Sequence, residues 1–78
     1  MPRFYFHLFN DLTVMDEEGV ILPNAAVALQ KGIVSARKMA AQSVLDGHLV
    51  LGHRIEVADA SGTTIGTIHF RDVVAVRS

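Results

Sequence analysis

Seventy-eight residues, with seven Lys plus Arg against eight Asp plus Glu, give a net charge of −1 at pH 7, and there is no cysteine. A chain of that length supports one domain, residues 1–78, and buries only about 60% of the surface its unfolded form exposes. Disulfides and thiolate zinc sites are excluded, the neutral balance argues against nucleic-acid binding driven by phosphate contacts, and no apolar run reaches the about 18 residues of a membrane span.

The opening Met1-Pro2-Arg3-Phe4 enters strand-like sequence without the apolar core of a signal peptide, so a cytoplasmic location is expected. Arg3 to Phe9 is dense in aromatics and predicts a strand. Period two sets Phe4, Phe6 and Leu8 on one face and Tyr5, His7 and Phe9 on the other. Asn10-Asp11 tolerates a turn, and Leu12 to Met15 returns as the second arm of a hairpin. Asp16-Glu17-Glu18-Gly19 interrupts as an acidic, solvated turn; it lacks the alternating spacing and distal Glu of a calcium loop. Val20 to Leu22 resumes extended structure, and Pro23 keeps Leu22 out of the helical region.

Asn24 to Asp46 predicts one amphipathic helix, with Asn24 as N-cap and Gly47 as the left-handed residue after its end. At 100° per residue, Ala25, Ala26, Leu29, Gly32, Ile33, Ala36, Met39, Ala40 and Val44 form the expected core face. These are mostly small, so the helix should lie close to a sheet, which is the use Gly32 would serve. Val27, Val34, Ala41 and Leu45 line up on the side expected to face water, flanked by Gln30, Lys31, Arg37 and Lys38.

His48 to His53 is a connection in which Leu49 and Leu51 are expected to tuck under the helix end. Arg54 to Asp59 alternates, with Ile55 and Val57 inward and Arg54 and Glu56 outward. Ala60-Ser61-Gly62 turns, and Thr63 to Phe70 comes back with Ile68 and Phe70 on one face and Thr67 and His69 on the other. Arg71 to Val76 fits either a continued strand or a short helical turn after Asp72. The reading is an α+β fold, β-β-α-β-β, a four-stranded, mostly antiparallel sheet with one helix packed on one face.

Several segments together carry a family resemblance. They are Met1-Pro2-Arg3-Phe4-Tyr5-Phe6-His7, Asp16-Glu17-Glu18-Gly19, Leu22-Pro23-Asn24, Ser35-Ala36-Arg37, Ile55-Glu56-Val57 with Asp59 and Gly62, and Phe70-Arg71-Asp72. Over nearly its whole length the chain resembles short bacterial proteins grouped as a domain-of-unknown-function family. The resemblance implies a shared fold and brings no activity, substrate or catalytic residue. Members usually have Asp where Asn24 stands and charged residues along the outer helix, where this chain has Val27 and Val34.

The residues offer little for catalysis or for a cofactor. Ser35, Ser43, Ser61 and Ser78 stand in no nucleophile-elbow motif, Ser61 suits a hairpin turn on geometry alone, and no phosphate-binding loop is present. A non-enzymatic protein without cofactor or metal is expected. His7, Glu56 and His69 are expected to share the face opposite the helix, as a candidate ligand or pH-sensitive site. His48 and His53 fit no motif. Lys31, Arg37 and Lys38 form a modest basic patch, the basis of an alternative in which a small regulatory or antitoxin-like protein binds nucleic acid. Half of the residues are hydrophobic, 50%, a surplus for so small a core. The expected use is a homo-oligomer, most simply a dimer, through the Val27/Val34/Ala41/Leu45 stripe or the Tyr5/Phe9 sheet face, with a further protein partner as the other use of the same surfaces.

Overall fold

Alternation in the first strand sets the architecture. In the computed structural model, which describes residues 2–77, Arg3–Phe9 forms β1. Met1 of the opening signature and Ser78 lie outside the described residues. The remaining elements are β2 (Thr13–Val14), β3 (Val20–Ile21), α1 (Ala25–Leu45), β4 (Arg54–Ala58), β5 (Thr64–His69) and a four-residue helix, α2 (Phe70–Val73). The sheet is antiparallel throughout, in the order β2-β1-β4-β5, with β3 also paired to β1.

The sheet has five strands where four are expected, because the arm returning along β1 pairs twice. Leu8 and Phe9 pair with Val14 and Thr13, and Arg3 and Phe4 pair with Ile21 and Val20. The register differs by two residues between these pairings. An even shift preserves the side-chain alternation, so Val14 and Val20 both stay on the helix side while residues 15–19 loop out.

Helix α1 is fixed at both ends by its caps. Asn24 Oδ1 accepts from the Val27 amide at 2.9 Å. At the far end the Gly47 amide donates to the Val44 carbonyl and the His48 amide to the Ser43 carbonyl, each at 3.0 Å, the paired bonds of a Schellman motif. The buried stripe is Ala28, Gly32, Ala36 and Ala40, four small residues that let the backbone lie low over β4 and β5. A Cβ on Gly32 would collide with Ile68 Cδ1 and stand 3.1 Å from Val57 Cγ2. The helical cost of that glycine is therefore offset by close approach, as expected.

The helix is phased differently from its expected core face. Ala25, Ala26, Met39 and Val44 are exposed, and Ala28, which was not expected inside, is fully buried. Six of the 21 helical residues are alanine, and alanine is tolerated inside and outside, so periodicity read from apolar identity drifts.

Phe4, Ile55, Val57, Ile68 and Phe70 complete the core. The β4–β5 turn is held by Asp59 Oδ1, which accepts from the Ser61 and Thr63 amides and from Ser61 Oγ. Ser61 is a turn residue, engaged with a carboxylate. The 71–76 segment begins as a helical turn, but that turn starts at Phe70 and ends at Val73. The Phe70 amide donates to the His53 carbonyl and the Arg71 amide to the Leu51 carbonyl, which docks α2 on the 48–53 connection. Leu49 packs against the core. Leu51, expected beside it, is 39% exposed, because it sits in the Leu51-Gly52 turn where the backbone bulges toward solvent.

Candidate functional site

One helix is too narrow for this sheet. Helix α1 packs mainly on β4, β5 and α2. Phe4 of β1 is still buried and Phe6 and Leu8 pack against the core, but toward β2 the helix-side face is only partly roofed. Phe6, Leu8, Val14 and Met15, with Met39 from the flank of α1, line a trough of about 460 Å³ rimmed by Asp16, Glu17 and Glu18. Val14 is 52% exposed and Met15 55%. Large apolar side chains left open on one contiguous surface mark a place for another body to pack. Through Leu8 and Met39 the trough runs into a smaller hollow of about 220 Å³, lined also by Asp11, Ser43, His48 and His53.

The acidic rim is built around Asp16, which differs from the solvated turn expected there. Glu17 and Glu18 are exposed, whereas Asp16 is half-buried. Its Oδ2 accepts from the Phe6 amide at 3.1 Å, and its Oδ1 accepts from the Glu18 and Gly19 amides at 3.1 and 3.0 Å. The carboxylate thus stands in for a strand partner across the gap between β2 and β3, where Phe6 has no ladder bond on that side. Burial pushes the Asp16 carboxyl up, but the amides of Gly19, Phe6 and Glu18 outweigh it and hold the group below the ordinary carboxylate value. Gly19 closes the turn at φ 69°, and a Cβ there would lie 2.8 Å from the Phe4 carbonyl oxygen.

The lining of the smaller hollow includes a hydroxyl, two imidazoles and a carboxylate, from Ser43, His48, His53 and Asp11. His53 stands edge-on to Phe70, with ring centroids 5.7 Å apart, and its Nε2 is 3.6 Å from Asp11 Oδ1. The Asp11 side chain is 91% exposed, so water screens it and it orients the ring weakly. Among the described residues no hydrogen bond joins Ser43 to an imidazole.

On the opposite face of the sheet, Tyr5, His7, Phe9, Glu56 and His69 lie together as expected, all half-buried. Their polar groups are largely engaged with one another. Tyr5 stacks on His7 at 6.3 Å and 12°. Arg54 covers the Phe9 ring at 4.3 Å and pairs with Glu56 at 3.0 Å. His7 Nδ1 accepts from the Asp16 amide at 3.0 Å, which puts that ring's proton on Nε2. His69 is 3.6 Å from Asp72. Strand β4 separates His7 from His69, which stand opposite Glu56 and Arg54 respectively. Among the described residues no three His, Asp or Glu side chains are grouped to hold a metal ion.

The outward helix stripe is where the periodicity puts it. Val27, Val34, Ala41 and Leu45 are all exposed, with Leu45 at 81%. Lys31 and Lys38 are exposed among them, but Arg37 is drawn away, because its Nε donates to the Val73 carbonyl at 3.0 Å. The basic patch therefore splits, with its guanidinium serving to tie α1 to α2. No sequence signal marks the trough, since local pattern does not say which strands a helix will cover. No described helix is long and apolar enough to cross a membrane.

A family model described as "Domain of unknown function (DUF6894)" matches residues 3–71. No curated protein and no solved structure matches the chain.

Proposed function

The chain belongs to the DUF6894 family, a domain of unknown function, and from that premise we propose that it is a non-enzymatic interaction module that forms a homo-oligomer, most simply a symmetric dimer. The observation that supports this is the half-roofed sheet. Val14, Met15 and Met39 lie exposed beside half-buried Phe6 and Leu8 while α1 exposes Val27, Val34 and Leu45 on its outer side. A domain this small gains stability by burying such surfaces against a copy of itself. The non-enzymatic part is a reading of the sequence, in which no serine stands in a nucleophile motif.

Light scattering coupled to size exclusion, over a hundredfold range of protein concentration, tests the proposal. A mass of twice the chain is expected at high concentration; a single-chain mass throughout would refute it. Nucleic-acid binding through Lys31, Arg37 and Lys38 is the weaker reading, because Arg37 is engaged with Val73. Salt-sensitive retention on DNA or RNA, lost when the two lysines become glutamine, would reinstate it.

A further inference from the structure

Resting on that self-association, we infer that each protomer lays the outward stripe of its α1 into the trough of the other, giving a sandwich of sheet, helix pair and sheet. The argument begins with position. The trough lies beside α1 on the same side of the sheet, over the β1–β2 part that α1 covers least, where Val14 and Met15 are exposed. A twofold axis parallel to α1 carries one helix onto that part of the other protomer's sheet. The stripe of Val27, Val34, Ala41 and Leu45 lies opposite the buried Ala28–Ala40 stripe, so it then faces the partner's Phe6 and the partner's Val14. One operation fills both troughs and closes the assembly.

Charge selects this mode over its rivals. Along the outer helix the steps run Val27, Lys31, Val34, Lys38, Ala41, Leu45, an alternation of four and three that puts two lysines in the seam. Stripe against identical stripe would set those ammonium groups close to their own copies, at a cost in stability. The trough instead offers Asp16, Glu17 and Glu18 on its rim, with Glu17 and Glu18 exposed. Apolar floor meets apolar stripe, and acid meets base. The outer sheet face is less in need of a partner, since Arg54 already covers Phe9 and neutralises Glu56.

Charge exchange provides the test, on exposed residues that leave the fold intact. One variant carries Lys31→Glu and Lys38→Glu; the other carries Glu17→Lys and Glu18→Lys. Each alone sets like charges at both half-sites and should dissociate at least about tenfold more readily at low salt. Mixed, they restore opposite charges at both half-sites, and a heterodimer should return. If wild type dimerises while each variant alone dimerises equally well, the docking mode is overturned and self-association stands. If wild type is monomeric, both fall, and the trough belongs to a different molecule. Because the chain has no cysteine, Val14→Cys with Val34→Cys gives an independent check. Oxidation should link the double variant into covalent dimers, whereas efficient linking by Val34→Cys alone would indicate stripe-on-stripe contact and overturn the inference.

Discussion

Val57 and Phe6 are cross-strand partners on the same face of the sheet, as are Ile55 and Leu8, yet the members of each pair differ in fate. Val57 is fully buried and Ile55 is 2% exposed, while Phe6 and Leu8 are only half-buried. All four are apolar, and they sit in the same rows about 5 Å apart. What separates them is the roof, since α1 lies mainly over the β4–β5 half and covers Phe6 and Leu8 only along one flank. The comparison shows that a strand's alternation marks the face a residue takes and leaves open whether anything covers it.

The largest test of that contrast is a pair of truncations measured by urea unfolding at concentrations low enough to keep the chain monomeric. Ile55→Ala should cost about 2–5 kcal/mol, the range for emptying a packed site. Leu8→Ala should cost about 1–2 kcal/mol, because the side chain is already partly in water. Equal losses would mean that the two halves are packed alike. Repeated at high concentration, the Leu8→Ala penalty should grow if a second copy supplies the missing roof.

Closing the gap between α1 and the covered half is the next test. Gly32→Ala would gain about 1 kcal/mol of helix propensity and lose about 1–3 kcal/mol to overpacking against Ile68 and Val57. A net loss in the thermal midpoint is expected. A gain would show that the helix can rise off the sheet without cost.

Much of this was legible in the chain. Caps at Asn24 and Gly47 gave the helix to within a residue, because capping is local chemistry. The Arg54–Ala58 alternation gave an inward Ile55 and Val57 for the same reason. The helix phase was not legible, since Ala25, Ala26, Ala28 and Ala36 are equally content inside or out. Nor was the trough, nor the nearness of His53 to Asp11, because both depend on where distant segments come to rest. Arg37 reads in the sequence as part of a free basic patch, because its acceptor, the Val73 carbonyl, lies 36 residues away.

The smallest expected effect concerns Asp16 on the less covered side. Its folded pKa is lowered, so its contribution to stability is complete above the unfolded value of about 3.9 and is lost as the pH falls through the lower folded value. Asp16→Asn should therefore cost about 1 kcal/mol at neutral pH and show a shallower loss of stability below about pH 4. An unchanged acid profile would remove Asp16 as the group responsible.

The same carboxylate has a consequence for solubility. Between the two-residue strands β2 and β3, the outer edge of β1 offers the Phe6 amide in the middle of an aromatic stretch, a ready template for edge-to-edge growth. A half-buried negative charge that takes that amide blocks an incoming strand by bonding and by repulsion together. One side chain thereby keeps the aromatic strand Arg3–Phe9 from recruiting its neighbours, and Asp16→Ala should shorten the lag before fibrils appear in a concentrated sample.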